Sequence, residues 1–506
     1  LKIMRRAILF CVALFCALPY YGSAQTKVRI LSSDITDIVK STSGKRVYYL
    51  RGNVGLQQDA AKMYCDSAIL VQPDNTFDAF GNVRIIQADT TTIVGETMNY
   101  NGDERLFTIS ENVALRTPSS TLKTTSLRYD RNNHNAYYVT RSTLYRRDLE
   151  LTSDKGVYNT DLERIRLRGN VLAVDPEYQL QTDTLLYYPK QNSYRFLGPS
   201  ELLRDSSVIN CKLGSYEADN AQLNLGRGAS IESPGSFISA DSISYNLRSE
   251  AGELFTAALV ADSTKGFVLE APYILYEKEP NFVDAMYPVH YKQSMDGDTI
   301  YARGDTLAIR EDSASYRTVR MIENTAFYSE KFQGKSAYFT YFEYDEKLAL
   351  YPSPVLWGEK SQFQCDSAVL MLKDKELDSL YLHHEVRIVS QTQDSAYFDA
   401  ASGKYVYGSF DDNRLKQILL EGNAQSSMHN FSSSSTPDGI NTTTCSSITT
   451  SFNEGDVTTV KASKAVEATY LPWNNGGKQA PALEGCVPRF NERITKSNVR
   501  PTPGLK

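Results

Sequence analysis

The residues best suited to chemistry fall into columns. Asp66, Glu96, Thr125, Asp154, Asp183, Lys212 and Asp241 follow one another at steps of 29 or 30, and a file of carboxylates invites a calcium reading. Calcium needs about six to eight oxygen ligands converging at ~2.3–2.6 Å. Stacked strands instead place equivalent side chains ~4.8 Å apart, or about 10 Å apart for one hairpin per repeat. Thr125 and Lys212 also interrupt the column, and a lysine would repel the ion. The column reads as a structural corner, where a short polar side chain satisfies freed backbone N–H groups. No metal and no cofactor are expected.

Cysteine and histidine are equally unpromising as catalysts. Cys65, Cys211, Cys365 and Cys445 all fall in a column of small residues, in repeats far apart. Bridged Cα atoms must lie within ~7 Å, so these four read as small buried side chains. Cys486 is left as the one candidate for a reactive thiol. His134, His290, His383, His384 and His429 are scattered, with His383-His384 expected in a solvated turn. Gly-x-Ser-x-Gly, His-Glu-x-x-His and Gly-x-Gly-x-x-Gly do not occur. No catalytic residue is expected, and the chain reads as a non-enzyme.

The elements that carry these columns are repeats. Tyrosines stand at 100, 129, 158, 187, 216 and 245, each step being 29, with Leu70 one repeat earlier and Tyr276 one later. Seven residues before this column lies an apolar one: Met63, Ile93, Leu122, Leu151, Leu180, Ile209 and Ile238. Between them runs the small column Cys65, Gly95, Thr124, Ser153, Thr182, Cys211 and Ala240. A further marker recurs as Gly52-Asn53-Val54, Gly81-Asn82-Val83, Glu111-Asn112-Val113 and Gly169-Asn170-Val171. Weaker copies continue through Asp305, Cys365-Asp366-Ser367 and Gly422-Asn423-Ala424 to Cys445, roughly 13 periods in all.

Each unit reads as strand, corner, strand. In Leu180–Tyr187, Leu180 and Thr182 share one parity, while Leu185 and Tyr187 share the other. A strand alternates faces with period two, so the slip at Asp183-Thr184 implies a bend or bulge. Gly-Asn, where positive φ is easy, is expected to mark the opposite corner. The predicted fold is all-β: an elongated open β-jellyroll or solenoid-like array, two facing sheets around an apolar groove. The apolar column and Val54, Val83, Val113 and Val171 are candidates for the groove lining, because a small partner beside each long side chain leaves room. The Tyr column is either an aromatic ladder or an amphipathic contact at the groove mouth.

Composition sets the outer bounds. Of 506 residues, 41% are hydrophobic and 23% charged, which excludes a disordered polyelectrolyte. Thirty-three Tyr against two Trp and five His favour sheet, and a net charge of −6 argues against nucleic acid. Lys2, Arg5 and Arg6 precede an apolar stretch from Ala7 to Leu18 and then Gly22-Ser23-Ala24. This is the pattern of a secretory signal peptide cleaved after Ala24. The expected organisation is a signal peptide at 1–24, a first block at 45–276, a junction or insertion at 277–300, a second block at 301–470, and a loosely ordered tail at 471–506.

The phased Gly-Asn-Val set, with Asp-Thr-x-x-Tyr at 183–187 and Asp-Ser-x-x-Tyr at 241–245, resembles the LptA/OstA family of lipopolysaccharide-transport proteins. The later half, with Gly304-Asp305-Thr306-Leu307 and Pro354-Val355-Leu356-Trp357, is similar to the long OstA-like proteins of Bacteroidota. The resemblance implies an open β-jellyroll whose apolar interior shields lipid A acyl chains. It also implies a place in the periplasm, with association with the outer membrane as a further option. Implied partners are LptC-like and LptD-like jellyrolls joined by edge-strand addition, with self end-to-end association as a further option. The residues themselves leave two other readings open: a solid β-solenoid adhesin or scaffold, and a polysaccharide-cleaving β-helix.

Overall fold

Why the chain folds as it does follows from the parity slip in each strand. In the computed structural model, which describes residues 26–500 apart from 88–89, 279–281, 296–297, 375, 393–396, 412–413, 432–436 and 474–482, the chain is all-β. Successive strands pair antiparallel, and one 29-residue repeat is one hairpin, as in Arg46–Gln58 with Ala61–Val71. The predicted signal peptide, Pro280 and Gly297 lie outside the described residues. Contacts divide the chain into two compact units, Leu1–Gln191 and Asn192–Lys506.

The register of the long hairpins shifts near their middle, for instance between Phe80 and Val83, Ser110 and Val113, and Gly226 and Ala229. Burial follows the shift. Along Ala61–Val71 the buried positions are 61, 63 and 65 before the slip, and 68 and 70 after it. Both halves of a strand therefore turn their apolar residues inward from two different walls. Where the corner interrupts the ladder outright, the halves are separate strands. Asn135–Tyr138 and Ser142–Arg146 both pair with Thr121–Asp130, yet their other neighbours are Lys155–Asn159 and Leu149–Ser153 respectively.

The Gly-Asn and Asp columns do not mark opposite corners; they form the same one. Asn53 donates to Asp34 at 2.9 Å, Asn82 to Asp66 at 2.8 Å, Asn170 to Asp154 at 2.7 Å, and Asn324 to Asp305 at 2.6 Å. Antiparallel pairing brings the Asp of one strand opposite the bulge of the next. Gly81 and Asn82 both have positive φ, +73° and +46°, and together they oppose the single residue Glu96, so one extra residue turns the chain while the Asp–Asn bond fastens the turn.

The described part of the stretch 277–300, expected as a junction or insertion, is largely strand. Phe282–Met295 is a strand paired with Phe267–Glu277 on one side and Asp298–Glu311 on the other. Pro288 is accommodated because it sits in the register shift between Met286 and Val289, where no ladder N–H is required. The division between compact units falls instead at Gln191/Asn192.

The described part of the expected loose tail is also ordered against the second unit. Residues 483–500 carry a short 3₁₀ turn at Phe490–Glu492 and one helical turn at Lys496–Val499. Ile494 and Val499 pack on Ala326, Val355 and Trp357. Gln362 donates to the Val487 carbonyl at 3.0 Å, Arg493 to Gln333 at 2.8 Å, and Arg387 to the Glu484 carbonyl at 2.8 Å. Alternation along Arg317–Tyr328 puts Phe327 and Ala326 on opposite faces, so this strap covers the outer face of a wall whose inner face is also buried.

Candidate functional site

All eleven groove candidates lie inside. Met63, Ile93, Leu122, Leu151, Leu180, Ile209 and Ile238, together with Val54, Val83, Val113 and Val171, are buried to within 2% of completely. They cross-pair directly, as Leu115 with Leu122 and Ile85 with Ile93 do in neighbouring strands. None of them lines either of the two cavities, of about 470 and 360 Å³, found in the second unit.

In the first unit the two walls meet along a seam between their hairpin turns. One rim holds the turns near 58–61, 87–91 and 116–121; the other holds those near 101–106, 130–135 and 159–164. Polar side chains bridge the rims. Gln58 accepts from the Tyr100 hydroxyl, receives Arg131 Nη1 at 3.1 Å, and donates to the Gly102 carbonyl at 3.0 Å. Gln87 meets His134 at 3.2 Å. Tyr158 shares hydrogen bonds with Thr117 and Ser120 at 3.1 Å each, and Arg146 donates to Tyr187 at 2.9 Å.

The Tyr column is thus a row of seam fasteners. Its rings are buried and touch their same-face neighbours: Tyr100 lies 5.0 Å from Phe77, and Tyr129 5.2 Å from Phe107. Several hydroxyls reach polar groups at the rim. Sequence reasoning found the tyrosines but not their partners Gln58, Arg131 and Arg146, because these stand 31 to 42 residues away. The usable signal was the buried hydroxyl itself, which must be satisfied.

The second unit departs from this closure. Between one rim that holds Lys265, Met295, Asp298 and Phe332 and another that holds Arg317, Glu343 and Glu376 lies a cavity of about 470 Å³. Its apolar lining includes Ile300, Phe327, Phe332, Phe339, Leu348 and Leu370. Lys265 pairs with Glu311 across the rims. Arg317, itself buried, holds Glu343 through Nε at 3.1 Å and Nη2 at 2.8 Å. Burial pushes the Glu343 carboxyl up, but hydrogen bonds from the Arg317 side chain and backbone N–H outweigh it and hold the group below its ordinary value.

Both ends of the array carry exposed apolar strands. Arg29–Ser32 and Ile35–Lys40 each pair with Arg46–Gln58, and Ile35, Ile38 and Val39 are exposed, Ile38 to 61%. In the second unit Asp456–Ser463 and Glu467–Pro472 flank Gly439–Asn453, with Val457, Val460, Tyr470 and Leu471 exposed.

The cysteine thiols are inert by position. Burial pushes Cys65 and Cys211 up to about 11 and Cys365 to about 12. It also raises Cys486, whose Sγ contacts the Ala401 carbonyl.

Residues 25–183 match the family described as OstA-like protein. The matched segment contains all four phased corners at 52–54, 81–83, 111–113 and 169–171, so the resemblance read from those motifs holds over this segment. No curated protein matches the sequence.

Proposed function

We propose that this chain, OstA-like over residues 25–183, is a non-enzymatic lipopolysaccharide-binding and transport protein of the periplasm, forming part of a bridge toward the outer membrane. The observation that carries the reading is that match, made by a two-walled array whose interior is mostly aliphatic and aromatic. The walls must part for acyl chains to enter. Each seam hydrogen bond contributes about 0.5–1.5 kcal/mol net, whereas burying an acyl chain recovers about 0.8 kcal/mol per CH₂. A chain of about 12 carbons therefore outweighs the few fasteners it would displace locally. The exposed terminal strands supply edges for adding LptC-like or LptD-like jellyroll strands, or a second copy.

The bridged seam of the first unit favours a second reading, a solid β-array acting as scaffold. One experiment separates them. The photo-crosslinker p-azidophenylalanine replaces interior Phe107 or Phe196 with little change in volume, and solvent-facing Val139 serves as control. Transport predicts that lipopolysaccharide is captured at the two interior sites and not at Val139. Capture at none of them, in a protein of wild-type stability, leaves the scaffold.

A further inference from the structure

We propose that the second unit associates side by side with a second copy of this chain, through an apolar stripe on the outer face of its sheet, the two stripes running antiparallel. The surface is neither the interior nor a strand edge, so the inference goes beyond the transport reading and does not rest on it.

The outer face of an antiparallel sheet buried on one side is ordinarily polar. In the first unit it is so beside the corner, where the row crossing successive strands runs Arg51, Ser67, Phe80, Thr97, Ser110 and Ser126, with a single aromatic. The same row in the second unit is of another kind. Cross-strand pairing carries it from Phe255 to Tyr273 and Met286, through Thr306, to Ile322, Tyr338 and Tyr351. Met286 is 53% exposed, Phe255 and Tyr351 are 38% exposed, and the others are half-buried. The rings meet in pairs, Phe255 with Tyr273 at 5.4 Å and Tyr338 with Tyr351 at 5.1 Å. Thr306 apart, every position presents aromatic or aliphatic surface that the fold does not fully bury, and contiguous surface of that kind marks an interaction site.

The order of the stripe names the partner. Two aromatic residues, an aliphatic one, Thr306, an aliphatic one and two aromatic residues read alike from either end. Self-complementarity of this sort is what an isologous two-fold contact requires. With the axis along the strand direction at Thr306, Phe255 faces Tyr351 of the second copy, Tyr273 faces Tyr338, and Met286 faces Ile322. Charge obeys the same symmetry. In the flanking row Asp284 and Arg320 stand one strand to either side of Ala308, so each Asp284 meets Arg320 of the second copy. Arg310, which would meet its own counterpart, is paired within its chain to Asp284 at 2.6 Å. A two-fold along the stripe would set each residue against itself and lose the Asp284–Arg320 pairs.

Size sets the strength. Six strand steps of ~4.8 Å make the stripe about 29 Å long, and three same-face rows span about 14 Å. The resulting area of about 400 Å² per copy is roughly half that of a standard stable interface, so the dimer is reversible.

The test is sedimentation equilibrium of the full chain up to about 100 µM, a concentration suited to a small interface. All proteins carry Ile38→Lys to weaken end association. The otherwise wild-type chain is expected to rise in mass toward a dimer. Tyr273→Lys places two unpaired cations in the contact and weakens the dimer at least about tenfold; Met286→Lys, at a more exposed position, repeats the check should the first variant misfold. Phe80→Lys, in the same row of the first unit, leaves the mass unchanged. Disulfide linkage under copper phenanthroline, scored above the parent protein, reads the register. Thr306→Cys links to itself across the axis, whereas Met286→Cys links to Ile322→Cys in a mixture faster than to itself. A monomer at the highest concentration, a dimer that survives both lysine variants or is lost equally in Phe80→Lys, or self-linkage of Met286→Cys as fast as the mixed pair overturns the proposal.

Discussion

At the scale of single residues, the corner is where the chain is least forgiving. Gly81 has φ +73°, and a Cβ there would run into the Asp66 carboxylate; Gly228 has φ +71° but nothing within 4 Å of its Cβ position. Both substitutions to Ala strain the backbone by about 1 kcal/mol, and Gly81→Ala adds the loss of the Asp66–Asn82 bond, for a total of about 2 kcal/mol. Hydrogen exchange should show the difference as faster opening of 64–67 and 80–83 in Gly81→Ala, with Gly228→Ala milder at its own corner. Thiol chemistry gives a second check. Because burial raises Cys65, Cys211, Cys365 and Cys486, a chain beginning at Gln25 should react with Ellman's reagent at neutral pH only after denaturation. A fast-reacting thiol in the native protein would contradict this placement.

At the scale of strands and seams, the pairing of distant rims decides behaviour. Tyr158→Phe removes the hydroxyl shared with Thr117 and Ser120; the expected cost is about 0.5–1.5 kcal/mol, seen as faster exchange across the 116–121 turn. Arg317 and Glu343 give a pH dependence of definite sign. The folded carboxyl of Glu343 titrates below its ordinary value, so its stabilisation is present above the unfolded carboxylate value of about 4.3 and is lost as pH falls through the lower folded value. Glu343→Gln should lower thermal stability at neutral pH by about 1.5–3 kcal/mol and flatten the acid limb of a melting-temperature profile. A profile parallel to wild type would place the acid sensitivity elsewhere.

The 29-residue period made hairpins, parity slips and the identity of interior residues such as Leu151 and Ile209 legible from sequence. The shared corner was missed because Asp66 and Asn82 stand 16 residues apart, beyond the reach of local pattern. Yet Asp154 and Asn170 keep that same offset of 16, which is the signal that was available. The cavity could not be read at all. It depends on how the rims between 262 and 377 approach, and the repeat markers are weakest there.

At the scale of the whole molecule, the second unit carries its own cover. Trp357 is 0% exposed, with Ile494 and Val499 of the strap packed in its cluster. Ile494→Asp, made on a Trp473→Phe background so that Trp357 alone reports, should shift fluorescence to the red while leaving the far-ultraviolet spectrum of the sheet unchanged. Unshifted emission would mean that the wall buries the indole by itself. The strap was illegible in sequence because 483–500 has no periodicity of its own; its apolar anchors are isolated among arginines and lysines, and only the wall beneath gives them a register. Exposed Ile38 belongs to this scale as well: Ile38→Lys should leave melting unchanged but reduce end association in sedimentation velocity.

Because each strand between 61 and 116 shares its ladder with the strands just before and just after it, the natural quantum of change in this architecture is one complete 29-residue copy. Excising or duplicating such a copy restores the direction of the chain and keeps inward faces inward. Removing a lone strand reverses the polarity of everything downstream. Genes of this kind are therefore expected to grow and shrink by whole copies, with reach as the inherited variable and the cross-section conserved.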